Sequence, residues 1–209
     1  MPRPTEPSDF RRVDARRAVA LAGHLGDEGT ARAGLDDPAP AVRASALGAL
    51  ARLQRLTFDD VARAATDPDG SVRARAAELS AGYGGPAVAL LIGSLNDEES
   101  RVAESGCFAL GEIGPDASPA IPALEAVVRD HPDPLCREAA VAALGAIGAP
   151  EGLSAILTAT SDKPAVRRRA VLALAPFSGP DVDAALERAL TDRDWQVRQA
   201  AEDLTGRHG

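Results

Sequence analysis

A hydrophobic pattern of long period runs through the chain. An apolar residue stands at Val42, Val72, Val102, Cys136, Val166 and Val197, at spacings of 30, 30, 34, 30 and 31 residues. Four residues on, the side chain is always small: Ala46, Ala76, Gly106, Ala140, Ala170 and Ala201. A leucine follows at seven or eight residues (Leu50, Leu79, Leu110, Leu144, Leu174, Leu204), and Leu53, Tyr83, Ile113, Ile147 and Phe177 stand eleven residues on. These offsets fall on one side of an α-helix, whose turn is 3.6 residues. The pattern predicts one such helix per repeat, here called helix B. Its small slot lets a neighbouring helix approach closely.

The boundaries carry their own signals. Pro40, Pro134 and Pro164 lie two residues before the first slot, where proline's missing N–H costs nothing. Asp69, Asp133 and Asp194 immediately precede that position and predict N-caps. Gly82, Gly114, Gly148 and Gly179 predict helix ends. A second helix, A, is predicted from PAVALLIGSL at Pro86, SPAIPALEAVV at Ser118, APEGLSAILTA at Ala149 and GPDVDAALERAL at Gly179. Pro86, Pro150 and Pro180 open three of these near their first turn. The longer 34-residue spacing places its four extra residues in GPDASPAIPAL, where an insertion leaves stacked helices intact.

A polar pattern rides on the apolar one. The residue after the first slot is Arg43, Arg73, Ala103, Arg137, Arg167 or Arg198, and five residues before the slot stand Asp37, Asp67, Asp97, His131, Ser161 and Asp192. With ALGEIGPDASPAIPALEAVVRD (109–130) and CREAAVAALGAIG (136–148), these features resemble HEAT repeats, in particular the short repeats of the phycobilisome-lyase type. The resemblance implies an all-α, right-handed α-solenoid of about six helix pairs over residues 27–204. Residues 1–26, with FRRVDARRAVALAGHL, are expected to hold a capping helix, and 205–209 a tail. Glu202 and Asp203 supply the polar outer face that a terminal repeat needs. The resemblance also implies a structural ladder of Asp37, Asp67, Asp97 and Asp192 with Arg43, Arg73, Arg137, Arg167 and Arg198. His131 and Ser161 stand in place of its Asp, and Ala103 in place of its Arg. Carboxylate–guanidinium bonds suit such a role because they are strong and directional.

Composition agrees with helices. Apolar residues make up 45% and aromatic residues 3% of 209, so Ala and Leu do the packing. The net charge of -8 opposes nucleic-acid phosphates unless basic residues are segregated. Arg11, Arg12, Arg16 and Arg17 form one basic helix, and Arg167, Arg168 and Arg169 form a run. Some alkylpurine DNA glycosylases share HEAT-like architecture, yet a base-binding groove also needs aromatic residues, and Trp195 is the one tryptophan. Neither an apolar leader nor a membrane-length apolar run occurs, and the expected location is cytoplasmic.

Candidate chemistry is sparse. His24, His131 and His208 form no H-x-x-x-H spacing. Deoxyhypusine hydroxylase, an enzyme family of the same repeats, binds iron through His-Glu pairs, and none occurs here. Cys107 and Cys136 occupy core slots, where a free cysteine acts as a small hydrophobe. No metal, cofactor or catalytic residue is expected, and nothing marks a tetrapyrrole site for lyase action. The expectation is a non-enzymatic scaffold, with a nucleic-acid-binding protein or a lyase-like accessory protein as alternatives.

The free side of helix B is left for a partner. Offsets 2, 6 and 9 from the first slot point off the core stripe, the last of them small throughout (Ala51, Ala81, Gly111, Gly145, Ala175), and the resemblance places them on the concave side. Offsets 2 and 6 give a track of Glu104, Phe108, Glu138, Ala142, Arg168 and Leu172, with Trp195 at the C-terminal rim. Small residues with a few apolar anchors suit a helical or extended protein segment. Glu78, Glu104, Glu112 and Glu138 favour a basic one.

Overall fold

The computed structural model describes residues 7–206, with side chains from residue 13 onward. The side chains of Arg11 and Arg12 and all of His208 lie outside the described residues. Among those residues the chain is helical with no strand. It divides into two compact units between Ser80 and Ala81.

The first unit opens with α1 (Pro7–Leu25), then α2 (Glu28–Ala33), α3 (Pro40–Arg52), α4 (Phe58–Ala64) and α5 (Gly70–Ser80). Helices α3 and α5 are the first two helices B. Val19 and Ala22 of α1 join Val42, Ala46, Ala49 and Leu50 of α3 in one core. Gly23 makes this approach possible, since a Cβ there would stand 2.8 Å from the Cα of Ala49. Helices α2 and α4 escape the periodicity because they bury only Ala31, and Val61 with Ala64. Capping holds them instead. The Asp27 carboxylate accepts the Thr30 amide at 3.0 Å. Thr57 and Asp60 exchange bonds in a capping box before α4. Arg32 donates to Asp60 at 3.1 Å and so ties α2 to α4.

The second unit holds α6 (Val88–Ser94), α7 (Ser100–Ile113), α8 (Ile121–Asp130), α9 (Pro134–Ile147), α10 (Leu153–Ala159), α11 (Pro164–Ala173), α12 (Pro180–Ala189) and α13 (Trp195–Thr205). The odd-numbered members are helices B. Their first slots Val102, Cys136, Val166 and Val197 are all buried, as are Leu110, Leu144 and Leu174. Pro134 and Pro164 begin α9 and α11, and the carboxylates of Asp133 and Asp194 each accept an amide at 2.9 Å.

Several boundaries differ from the sequence expectation. Helices α6, α8 and α10 begin after short 3₁₀ turns, so the prolines 86, 119 and 150 lie in those turns. The insertion is itself a 3₁₀ stretch, Gly114–Ala120. Neither Gly82 nor Gly179 ends its helix: α5 stops at Ser80, with Gly82 in the 3₁₀ turn that follows, and α11 stops at Ala173, while Gly179, with φ of 123°, starts α12.

The glycines nine residues past the first slot, and not the small slot four residues past it, set the spacing between neighbouring helices B. A Cβ on Gly111 of α7 would lie 3.2 Å from the Cα of Ala143 on α9. On Gly145 of α9 it would lie 2.8 Å from the Cα of Ala173 on α11. The B helices of this unit therefore pack nearly backbone to backbone, which leaves their outward side chains as one contiguous surface.

Candidate interaction surface

The arginine slot is structural in its geometry. Arg43 grips Asp67 with Nε at 2.7 Å and Nη2 at 2.6 Å. Arg137 does the same to Asp162 at 2.7 and 2.8 Å, and Arg167 to Asp192 at 2.9 and 2.7 Å. Each carboxylate lies in the turn of the following repeat. Burial pushes the Asp67 carboxyl up, but bonds from Arg43 and the Asp69 amide outweigh it and hold the group below the usual range. At Asp162 and Asp192 the arginine bond is the leading influence and lowers both carboxyls.

Two ladder assignments need correction. Asp162, not Ser161, faces Arg137, because spatial reach across the turn and not the count from the first slot selects the partner. Asp37 belongs to the first turn; its carboxylate accepts its own Ala39 amide at 2.8 Å. The Asp97 carboxylate accepts the Glu99 amide of its own turn at 3.0 Å, as those of Asp67 and Asp192 accept the Asp69 and Asp194 amides while holding an arginine. At the other end Arg198 donates to the carbonyls of Asp192 and Arg193 at 2.8 and 3.3 Å. Arg73 donates to the carbonyl of Asp67 at 2.9 Å.

The cysteines are buried. Burial pushes the Cys107 thiol up to about 12 and that of Cys136 up to about 11, and Cys136 donates to the Ser100 carbonyl. A thiol held neutral is a poor nucleophile. Among the described residues no cluster of His, Cys, Asp or Glu could hold a metal ion.

The B-helix surface of the second unit is different in character. Phe108 is 50% exposed and Leu172 39%, both six residues past their first slots. Ala142 holds the same offset on α9 between them and is half-buried. Trp195, the first residue of α13, is 64% exposed. Leu135, not singled out by sequence, is 56% exposed. It stands seven residues before Ala142 and shares that side of α9, so two-turn spacing could have found it.

Charge on the track is more balanced than the sequence suggests. Glu138 is shared by Arg168 at 3.7 Å and Arg169 at 3.4 Å, and Glu78 in the first unit pairs with Arg75 at 2.8 Å. Among the described residues Glu104 and Glu112 form no ion pair. The track thus runs from an acidic end at α7 to a basic end at α11.

Paired short helices, small-residue spacing and a repeated Arg–Asp clasp define a helical-repeat protein. The family model for HEAT repeats matches residues 29–107, 61–145 and 121–204, and the chain belongs to that family. No curated protein matches it by sequence. Among solved structures it is similar to an engineered protein (TM-score 0.62, 19% identity, 98% of this chain and 66% of that one). It is similar to a designed armadillo repeat protein in complex with the peptide (KR)4 (TM-score 0.63, 17% identity, 86% and 98%). It is also similar to the CpcE–CpcF complex of phycocyanin lyase from Nostoc (TM-score 0.60, 23% identity, 86% and 76%). At these identities the likeness is one of fold. Among the described residues no helix is long and apolar enough to cross a membrane.

Proposed function

We propose that this protein is a non-enzymatic interaction scaffold. Its binding surface is the outward side of α7, α9 and α11, formed by Glu104, Phe108, Glu138, Ala142, Arg168 and Leu172, with Leu135 and Trp195 at its margins. The observation that carries the reading is the alignment of Phe108 and Leu172. Two large apolar side chains stay exposed at the same offset on helices flanking a small Ala142, while the first-slot residues Val102 and Val166 of those helices are buried. Exposed apolar groups grouped on one surface mark interaction sites more often than isolated ones do. The occupant is an extended or helical protein segment with apolar residues that meet Phe108 and Leu172.

Glu104 and Glu112 favour a basic residue at the α7 end of that segment. The designed armadillo protein with its bound (KR)4 peptide supports segment binding by this fold class. Affinity capture from the native cell supplies the partner, and isothermal titration with Phe108→Ala and Leu172→Ala then tests the surface. Loss of binding by both, at unchanged helicity, supports the reading. Normal binding by both removes it.

A further inference from the structure

One rung of the arginine ladder is missing, and both of its members are replaced. Wherever the slot holds Arg, its Nη1 donates to a carbonyl of its own turn: to Asp37 at 3.0 Å, Asp67 at 2.9 Å, His131 at 2.8 Å, Asp162 at 2.9 Å and Asp192 at 2.8 Å. Its fork then reaches the next turn's carboxylate, as in Arg43–Asp67, Arg137–Asp162 and Arg167–Asp192. In the third repeat the slot is Ala103, which is buried and has nothing to donate. Across from it, the turn carries His131 in place of Asp.

His131 keeps the turn without the rung. Its Nδ1 accepts the Asp133 amide at 3.1 Å, the role the carboxylates of Asp37, Asp67 and Asp192 play toward Ala39, Asp69 and Asp194. Nδ1 is thereby engaged within its own turn, and Nε2 is the ring nitrogen left for a partner. At this place a cavity of about 300 Å³ opens between the turn after α6 and the end of α8. Leu95 and Val127 give it an apolar wall, and Asn96, Asp97, Asp130 and His131 a polar mouth. Its lining contains two carboxylates and no Arg or Lys.

We propose that this cavity receives an arginine side chain from another molecule, whose guanidinium takes the place left by Ala103. The chemistry matches part by part. The methylene stem lies along Leu95 and Val127, the planar cation stacks on the imidazole of His131, and the fork donates to Asp130 and the Asn96 amide oxygen. Asp130 already pairs with the exposed Arg129 at 2.9 Å, so the incoming cation competes for it and a single arginine binds weakly. The site sits at the turn edge of the second unit and does not depend on the B-helix surface.

The test uses the full chain and N-acetyl-arginine amide as probe, followed by ¹H–¹⁵N NMR. The expected result is saturable shifts in the millimolar range at the amides of Asn96, Val127, Asp130 and His131. The lysine analogue should bind more weakly. The double variant Ala103→Arg with His131→Asp rebuilds the rung and should abolish the shifts while raising Tm. Asp130→Asn, an exposed change that leaves the fold alone, should weaken the probe roughly two- to fivefold. No saturable shift in the native protein overturns the proposal. So do equal shifts in the rebuilt variant or undiminished binding by Asp130→Asn.

Discussion

Replacing Arg167 by Ala tests the ladder at its most enclosed rung. The change removes two bonds to the Asp192 carboxylate, at 2.9 and 2.7 Å, and one to the Asp162 carbonyl, at 2.9 Å. An exposed ion pair contributes about 0–1 kcal/mol, whereas breaking a buried one costs about 3–5 kcal/mol. The side chains of Arg167 and Asp192 are 7% and 17% exposed, so this rung lies nearer the buried case. Asp192 retains the Asp194 amide at 2.8 Å and some water, which lowers the cost. The expected loss is about 2–3 kcal/mol, or roughly 5–10 °C in Tm for a chain of this length.

The pH dependence has a definite sign. The bond from Arg167 holds the Asp192 carboxyl below its usual value. The rung therefore contributes fully above the unfolded carboxylate pKa of about 3.9, and its contribution fades as pH falls through the lowered value. Urea unfolding followed by circular dichroism, in a double-mutant cycle with Asp192→Ala, isolates the pair. As a control, Arg63→Ala breaks the exposed pair with Asp36 (59% and 76% exposed) and should cost under about 0.5 kcal/mol. A coupling energy near zero for Arg167 with Asp192 refutes the reasoning.

Gly145→Ala should destabilise by about 1–3 kcal/mol, because its Cβ collides with the backbone of α11 and no side-chain motion relieves it. Gly93→Ala meets nothing within 4 Å and should stabilise by about 0.4–1 kcal/mol, both measured by urea unfolding. Cys107 and Cys136, with thiols raised to about 12 and about 11, should resist alkylation by iodoacetamide at mildly alkaline pH until the protein is unfolded; rapid labelling of the folded chain contradicts their burial. Once a partner is in hand, Phe108→Ala should weaken its binding by about 2 kcal/mol or more, about thirtyfold, with melting near wild type.

Helices B are legible in the sequence because their stripe repeats six times and their ends carry chemical marks, as Asp133 and Pro134 show at α9. Helices α2 and α4 are not, since EGTARA and FDDVARA bury only Ala31, and Val61 with Ala64, and so show no apolar run of the kind that marks the equally short α6 and α10. Position along the chain also misleads in the turns. Asp162 is one residue from the expected slot, yet it alone takes the Arg137 fork. On the candidate surface, offsets correctly sort Phe108 and Leu172 from the core but say nothing of charge pairing. Glu138 reads as a free acid until α11 folds beside α9 and brings Arg168 and Arg169 to it.

The central claim, that a partner segment lies on the outward side of α7, α9 and α11, is tested most directly by photocrosslinking in the native cell. A photoreactive side chain at Ala142 should form a covalent adduct with one protein, and the additional change Phe108→Ala should abolish it. The same group at Ala184, exposed on α12, should form no such adduct. An adduct from Ala184 alone, or one from Ala142 that survives Phe108→Ala, contradicts the account.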